Sequence, residues 1–261
     1  MSLRYALSPS GGAIYHLIAR RRSRTTWKNF SAIVRDWLSE WLKLSSASPA
    51  PRELIIFGPS AGWTLPLKDF SMFSRITLVE PDPIARFLLR RRFLAAGISG
   101  ASLEFISRAD LLPWFSVALR SKEKNIPSAF ANFLRSRPSA AILFANVLGQ
   151  VSLHLSADQK LRGADSRSDF FDALNDRQWA SYHDLYSGSS RFAQPLKNFA
   201  PGEVRVEALA KSASIVFSQG TVIDHETAWL SEGRDTQLAL WPITEKSTHI
   251  IAFVTGATCN K

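Results

Sequence analysis

A glycine-rich turn is the first stretch of the sequence with the means to bind a ligand. The apolar run from Glu53 to Phe57 leads into Gly58, Pro59, Ser60, Ala61 and Gly62. Backbone N–H groups exposed at a strand-to-helix turn can bind a polar ligand, and glycine lets that ligand approach the backbone closely. The same residues also fit a plain corner between a strand and a helix. Residues further along the chain are needed to distinguish a ligand site from a plain corner.

Three further apolar runs end in residues able to contact a ligand. These residues are Glu80 and Pro81 after Ile76–Val79, Ala109 and Asp110 after Leu103–Ile106, and Asn146 and Val147 after Ala140–Ala145. Open α/β sheets bind ligands outside the carboxyl ends of their strands, so these residues are expected to share one crevice with the glycine turn. Simpler roles stay open: Glu80 fits a surface cap, and Asp110 fits a helix N-cap, a position that favours aspartate.

Asp224 and His225 supply a candidate catalytic pair. They close a fifth apolar run, Thr221–Asp224, which is predicted as a strand next to the fourth in the sheet. An imidazole with an unperturbed pKa near 6.5 can remove a proton at neutral pH, which makes His225 a candidate general base. A strand-end histidine satisfied by a neighbouring carboxylate fits the same residues. No P-loop, zinc-type histidine pair or G-x-S-x-G elbow is present, and no metal site is predicted.

The elements that must position these residues alternate between short strands and helices. Helical patterns follow Glu80, up to Gly97, and recur from Val204 to Phe217. The runs Thr236–Ile243 and Thr248–Thr255 flank TEKS and predict an antiparallel hairpin. The sequence therefore predicts an α/β fold with a Rossmann-like, mostly parallel seven-stranded sheet and an antiparallel C-terminal hairpin.

This order of elements, from Glu53 to the end and so about four-fifths of the chain, resembles the class I S-adenosylmethionine-dependent methyltransferases. The sheet of that family is parallel apart from one strand near its C-terminus. Its first strand is followed by a G-x-G-x-G turn, and Gly58, Ser60 and Gly62 stand at the glycine positions. The resemblance implies S-adenosylmethionine as the cofactor and methyl transfer as the activity.

The resemblance also implies a role for each strand end. Residues 58–62 would cradle the methionine part of the cofactor. Glu80 would accept hydrogen bonds from the two ribose hydroxyls, because a carboxylate can bond both at once. Asp110, with Ala109 beside it, would bind the adenine amino group. Asn146 and the VLGQ that follows would lie near the reacting methyl group.

Two positions depart from the family pattern. The family often has an acidic residue two positions before the first glycine, where this chain has Ile56, and Ser60 replaces the middle glycine. A degenerate, non-catalytic relative that senses the cofactor or binds a partner is therefore the alternative. A nicotinamide dehydrogenase fits less well, because its G-x-G-x-x-G fingerprint would need glycine in place of Ser60 and Trp63.

Acceptor recognition is expected in the part of the chain that the core fold does not need. The segment from Asn146 to Thr221 spans 75 positions, whereas a crossover with its helix needs only about a dozen. Helical spacing predicts a helix at Ser168–Ser187, and residues 146–220 are expected to contain a lid or an extra packing helix. No N-P-P-Y-like motif of base-amino methylases is present, which leaves a small molecule, a protein or RNA as the acceptor.

The N-terminal residues 1–48 are expected to form a helical cap on a methyltransferase domain at 52–261. Trp27, Phe30, Trp37 and Trp41 lie on one apolar helical face, and SSASPAP, residues 45–51, then breaks the helix. Eight Lys or Arg against Asp36 and Glu40 give these 48 residues +6 of the chain's net +10. Contact with RNA or another polyanion is one interpretation of this charge, and a solvated face is the other.

Composition sets the remaining limits. The 261 residues are 46% hydrophobic and 21% charged, which is ordinary for a globular protein. The sequence has no apolar run of about 18 residues, as a membrane helix requires, and no secretion signal. Cys259 is the single cysteine, so no internal disulfide forms. These features predict a cytoplasmic protein without membrane insertion.

Overall fold

The computed structural model describes residues 12–45, 52–108, 111, 129–151, 167, 170–196, 202–203, 205–218 and 220–256. The helices are α1 (Gly12–Ser23), α2 (Lys28–Ser45), α3 (Pro83–Ala95), α4 (Ala129–Arg135), α5 (Leu148–Val151) and α6 (Val206–Val216). The strands are β1 (Glu53–Phe57), β2 (Arg75–Val79), β3 (Leu103–Ile106), β4 (Ala141–Ala145), β5 (Trp179–Ser189), β6 (Gly202–Glu203), β7 (Ile223–Asp224), β8 (Asp235–Pro242) and β9 (Ser247–Gly256).

The described strands form one nine-stranded sheet in the order β3-β2-β1-β4-β5-β9-β8-β6, with β7 paired to β5. Strands β1 to β5 are parallel, and β9 lies antiparallel between β5 and β8. The predicted Rossmann-like, mostly parallel sheet with an antiparallel C-terminal hairpin is confirmed. Seven strands of four or more residues match the predicted number, and the two-residue strands β6 and β7 are additional.

The register of the parallel strands brings their carboxyl ends level. Phe57 of β1 is paired with Val79 of β2 and with Phe144 of β4, and Val79 is paired with Ile106 of β3. Residues that follow these four positions therefore emerge at one edge of the sheet. β1 is buried on both faces, as a central strand between two helical layers should be.

The strand beside β4 is not the one that the sequence predicted. The stretch Ser168–Ser187, predicted as a helix, is helical only at residues 170–174 within its described part and continues as the 11-residue strand β5. Both faces of this central strand are covered, and its polar residues Ser181 and His183 are buried like the apolar ones. The strand therefore shows no alternation of buried and exposed positions. Without a two-residue polar alternation, its buried residues gave a misleading helical spacing.

The predicted fifth strand, Thr221–Asp224, is wrong in extent and direction. Only Ile223 and Asp224 form a strand, and they pair antiparallel with Tyr186 and Ser187 of β5. The place beside β4 is already taken by β5, and both residues of β7 are exposed. The segment therefore pairs with β5 beyond the point where β4 ends and does not form a parallel neighbour of β4.

The N-terminal helices cover one face of the sheet. Trp27, Phe30, Trp37 and Trp41 are all buried, which confirms them as core residues. The Phe30 ring stacks on Trp241 of β8 with centroids 4.5 Å apart, and the Trp27 Nε1 donates a hydrogen bond to the Ile243 carbonyl. The predicted division into a 1–48 cap and a 52–261 domain stays a prediction. None of the described helices is long and apolar enough to cross a membrane.

Candidate functional site

The glycine turn after β1 is a left-handed corner. Gly58, Ser60 and Gly62 have φ angles of 64°, 50° and 66°. A Cβ at Gly58 would lie 2.5 Å from the Val147 Cβ, and one at Gly62 would lie 2.8 Å from the Leu89 Cδ1. Both glycines are therefore needed for close packing as well as for their backbone angles. Ser60 adopts the left-handed conformation that disfavours a side chain.

Glu80, directly after β2, holds this corner in place. Its Oε2 accepts a hydrogen bond from the Ser60 N–H at 2.8 Å, and its Oε1 accepts one from the Asp82 N–H at 2.9 Å. Glu80 is buried, and burial raises the pKa of its carboxyl to about 7. A carboxylate has about four acceptor sites, so two backbone donors leave capacity for two more.

The chain around Glu80 is fixed by α3. Asp82 is the N-cap of this helix and accepts a hydrogen bond from the Ile84 N–H at 2.8 Å. The Arg86 guanidinium donates to the carbonyl oxygens of Glu80 and Pro81, at 2.8 and 2.7 Å. The Arg86 guanidinium thus donates to backbone carbonyl oxygens. The Glu80 carboxylate accepts its hydrogen bonds from the N–H groups of Ser60 and Asp82.

Helix α1 lies against the turn through two side chains that the sequence did not single out. The Tyr15 hydroxyl is hydrogen-bonded to the Ser60 side chain, and burial raises its pKa. His16 is buried, with its Nδ1 3.4 Å from the Trp63 Nε1 and its Nε2 3.1 Å from the Asp82 Oδ2. The indole N–H can only donate, so His16 accepts at Nδ1 and donates from Nε2 to Asp82. Nothing in the spacing of α1 marks these two positions as functional.

The residues after β4 connect the turn to β5. The Asn146 N–H donates to the Tyr182 carbonyl at 2.9 Å, and the Asn146 Oδ1 accepts from the Asp184 N–H at 3.1 Å. Val147 fills the space above Gly58. Asn146 and Val147 thus lie beside the glycine turn, as the sequence predicts for the strand ends. Ala109 and Asp110 lie outside the described residues.

His225 is brought to the same edge by the loop after β7. Its Nδ1 lies 2.8 Å from the Gly149 carbonyl oxygen, and its Nε2 lies 3.0 Å from the Ser187 Oγ. Asp224 has a different environment: it is exposed, and its carboxylate accepts a hydrogen bond from the Glu226 N–H at 2.7 Å. The catalytic role of His225 and Asp224 stays a prediction.

A second polar cluster, missed by the sequence analysis, surrounds His225. The Nδ1 of His249, on β9, lies 2.8 Å from the Oδ1 of Asp184, on β5, and the rings of His225 and His249 are 5.6 Å apart. We call Asp184, His225 and His249 the His–Asp cluster. Its members are up to 65 positions apart in the chain. The local signal was the presence of titratable side chains within two buried strands, Asp184 next to His183 in β5 and His249 in β9.

Tyr15 connects the two parts of the site. Burial is the main reason for its raised pKa, and the charges of Glu80 and Asp184 add to it. Tyr15 therefore lies within electrostatic range of the turn carboxylate and of the His–Asp cluster. Both groups lie at the carboxyl edge of the parallel strands.

Comparison with known proteins gives structural likeness only. The sequence matches no protein-family model and none of the curated proteins. Similar solved structures include the magnesium protoporphyrin IX methyltransferase of Synechocystis with bound S-adenosylhomocysteine, at 13% identity and a TM-score of 0.41, covering 90% of this chain and 85% of that one. The N-methyltransferase NodS of Bradyrhizobium japonicum has 14% identity and a TM-score of 0.37, covering 84% and 93%.

A further similar structure is a putative RNA methyltransferase of Pyrococcus horikoshii, at 13% identity and a TM-score of 0.39, covering 85% of this chain and 82% of that one. Likenesses with TM-scores below 0.5 assign no function to this chain. The sheet order β3-β2-β1-β4-β5-β9-β8, with β9 antiparallel, agrees with the mostly parallel sheet and late antiparallel strand that the resemblance to class I methyltransferases implies.

Proposed function

We propose that the protein is an S-adenosylmethionine-dependent methyltransferase that binds its cofactor at the glycine turn and Glu80. The observation that carries this proposal is the buried Glu80 carboxylate, which accepts the Ser60 N–H from inside the left-handed corner. An acidic side chain at the end of β2, in contact with the turn after β1, is what an adenosyl ligand would use.

The chemistry of Glu80 fits the ribose. Its carboxyl is desolvated, and the raised pKa shows that the two backbone N–H donors do not offset the cost of burying its charge. Two vicinal hydroxyls donating to the remaining acceptor sites would stabilise the ionised form. Glu80 with Pro81 would thus hold the ribose, and Ala109 and Asp110 are proposed for the adenine.

The methionine end of the cofactor would meet an altered set of groups. Ile56 is fully buried in the core and offers no carboxylate for the ammonium group. The Ser60 N–H is already bonded to Glu80, and the side chains of Ser60 and Tyr15 offer hydroxyl groups at this corner. We propose that they take the place of the missing acidic residue. The backbone of residues 58–62 would provide the surface against which the ligand packs.

In methyl transfer, the main contribution of the chain would be to position the acceptor relative to the methyl group. S-adenosylmethionine supplies a methyl group that its sulfonium already activates for in-line displacement. Asn146 and Val147 would face the reacting group, and holding the acceptor in line provides much of the rate enhancement. His225 is proposed as a base: the Gly149 carbonyl requires a proton on its Nδ1, which leaves a lone pair on Nε2. Asp224, predicted with it, lies in a separate hydrogen bond with Glu226.

The basic N-terminal region is proposed as a contact surface for an anionic acceptor. Arg20, Arg21 and Arg22 form the last turn of α1, the helix that covers the glycine turn. Arginines at this place would attract RNA or another polyanion toward the site. Retention on an RNA column that falls steeply with salt is expected, and salt-independent behaviour would remove this part of the proposal.

Thermal denaturation with S-adenosylhomocysteine tests cofactor binding. Ligand at 100 times its dissociation constant should add about 2.7 kcal/mol to the free energy of unfolding. The variant Glu80→Gln should lose most of this increment. The matched control Glu104→Gln changes a carboxyl on β3 that is hydrogen-bonded to Arg75 and Arg137, and it should keep the increment. Stabilisation by NADH without stabilisation by S-adenosylhomocysteine would contradict the proposal.

A further inference from the structure

We propose that Asp184, His225 and His249 bind one divalent transition-metal cation. The three residues offer ligand atoms that all lie within 4.8 Å of one another. Their position at the carboxyl edge of β5 places the cation on the acceptor side of the glycine turn, and this placement rests on the proposed function. The binding of the cation itself does not.

The spacing suits a small coordination sphere. Zinc and similar cations bind imidazole nitrogen and carboxylate oxygen at about 2.0–2.2 Å, so neighbouring ligand atoms are about 3 Å apart. The His249 Nδ1 and Asp184 Oδ1 are already 2.8 Å apart. His225 needs a shift of at most about 2 Å from its present place to complete the set, because ligand atoms up to 4.8 Å apart must approach to about 3 Å. Two imidazoles and a carboxylate favour zinc, cobalt, nickel, iron or manganese over calcium and magnesium.

His225 already has the tautomer of a metal ligand. Its Nδ1 lies 2.8 Å from the Gly149 carbonyl oxygen, which can only accept a hydrogen bond. The proton therefore sits on Nδ1, and the Nε2 lone pair faces the Ser187 Oγ at 3.0 Å. Metal-bound histidines are held in this way, with the second ring N–H donating to a carbonyl or carboxylate. A cation would replace the Ser187 hydroxyl as the partner of Nε2, and in the metal-bound protein His225 would hold the cation instead of acting as the base.

The backbone of Asp184 is held by hydrogen bonds to two side chains. Its N–H donates to the Asn146 Oδ1 at 3.1 Å, and its carbonyl accepts from the Thr227 Oγ1 at 2.6 Å. A Cβ at Gly149 would lie 2.6 Å from the Asp184 Cβ, so α5 packs directly on this residue. The carboxylate is fully buried and carries the charge that a cation would neutralise. Such rigidity is what a preorganised site requires.

His249 provides the opening. Its side chain is 15% exposed while that of Asp184 is fully buried, so the cluster reaches solvent on the β9 side. Binding requires the His249 Nδ1 to exchange its hydrogen bond with Asp184 for the cation, with the ring proton moving to Nε2 or to solvent. Three protein ligands leave coordination positions open, which favours an acceptor that presents a hydroxyl oxygen.

Sequence reasoning predicted no metal site, because no two histidines have zinc-type spacing. The cluster forms through topology instead: β5 and β9 are neighbours in the sheet, and the loop after β7 crosses the end of β5. The bulge between Asp184 and Tyr186 changes the register there. A sequence motif would not reveal such a site.

Metal titration of chelator-treated protein tests the proposal in the absence of any S-adenosyl compound. Isothermal titration with Zn²⁺ and the visible absorption of added Co²⁺ should both give one equivalent. Each of Asp184→Asn, His225→Gln and His249→Gln should weaken binding at least tenfold. His16→Gln is the matched control, since His16 also pairs with an aspartate but lies outside the cluster, and it should bind one equivalent as before.

The unaltered protein carries a second readout, which applies even if a variant of these buried residues fails to fold. The Co²⁺ form should show two exchangeable imidazole N–H proton signals shifted by the metal, one of them protected because His225 donates to Gly149. No Co²⁺ or Zn²⁺ binding, or binding without shifted imidazole signals, overturns the proposal. S-adenosylhomocysteine stabilisation measured with chelator present reports on the cofactor proposal separately.

Discussion

Carboxylates stand at both edges of the same parallel strands, and their surroundings differ. At the amino edge, Glu104 of β3 accepts hydrogen bonds from Arg75 at 2.8 Å and from Arg137 at 3.2 Å. At the carboxyl edge, the side chain of Glu80 accepts from two backbone N–H groups, while Arg86 is directed to carbonyl oxygens. The first carboxylate is satisfied within the chain, and the second keeps acceptor capacity.

The pKa values record this difference. Burial raises the pKa of Glu104, but hydrogen bonds from Thr77 and Arg137 outweigh burial and leave the pKa below its ordinary value. Burial of Glu80 dominates and raises its pKa to about 7. A carboxylate stabilised by arginines indicates a structural role, whereas a desolvated one at the ligand-binding edge indicates a missing partner. The contrast separates the part of the sheet that holds the fold together from the part at which ligand binding is proposed.

The largest expected effect is on the pH dependence of stability. Because the folded-state pKa of Glu80 exceeds its value of 4.5 in the unfolded chain, the folded protein binds the extra proton between these values. Stability contributed by this group is full below pH 4.5 and is lost as pH rises through 7. A shift of this size corresponds to about 3 kcal/mol as an upper bound. Tyr15, Asp82 and Arg86 also act on this carboxyl.

Chemical denaturation between pH 4.5 and 8, compared for the unaltered chain and Glu80→Gln, measures this effect. The difference between the two free energies of unfolding should change with pH in the stated direction. Glu104→Gln is the matched control, and its difference from the unaltered chain should stay nearly constant over this range, because stability from a pKa lowered from 4.5 is lost only as pH falls below 4.5. A pH-independent difference between the unaltered chain and Glu80→Gln would break the comparison.

A smaller effect is expected at the amino edge. The Arg137 side chain donates to Glu53 and Glu104, and its guanidinium lies 4.3 Å from the centre of the Phe133 ring. Replacing Arg137 with Met should lower the free energy of unfolding by about 2 kcal/mol, since it leaves two partly buried carboxylates without this partner. The increment from S-adenosylhomocysteine should not change. A loss of that increment would show that the two edges are coupled.

The smallest effect concerns helix α1. Tyr15→Phe removes the hydroxyl that bonds to the Ser60 side chain. A neutral hydrogen bond contributes about 1 kcal/mol, so S-adenosylhomocysteine affinity should fall about fivefold if this hydroxyl contacts the ligand. Trp63→Phe is a useful comparison, because it removes the indole N–H that donates to His16 and leaves the Ser60 contact in place. Equal affinity in Tyr15→Phe and the unaltered chain would remove Tyr15 from the proposed site.

Local patterns predicted much of the fold. The strands β1 to β4, β8 and β9 lie within a residue or two of their predicted bounds, because each is a short apolar run between turn residues. Glu80 and Asn146 were predicted as site residues because they directly follow such runs, and Ser60 because it lies in the turn after the first run. For residues at the ends of strands, position in the sequence was enough to predict where they lie in the fold.

The remainder depended on contacts between distant segments. β5 was misjudged because its two covered faces remove the polar alternation of an exposed strand. Tyr15, His16, Asp184 and His249 reach the site by tertiary packing: α1 folds over the turn, and β9 inserts beside β5. No spacing within one segment carries this information. The glycine turn can thus be predicted from one segment of the sequence, whereas the His–Asp cluster forms only when β5, β9 and the loop after β7 come together.

The central claim is that Glu80 binds the ribose hydroxyls of an S-adenosyl ligand. Isothermal titration of S-adenosylhomocysteine and its 2′,3′-dideoxy analogue, against the unaltered chain and Glu80→Gln, tests this contact directly as a double-mutant cycle. The account predicts that removing the hydroxyls weakens binding to the unaltered chain at least tenfold, since hydrogen bonds to a charged group contribute about 1.5–3 kcal/mol, and has little effect on binding to Glu80→Gln. An equal loss of affinity in both proteins would contradict it.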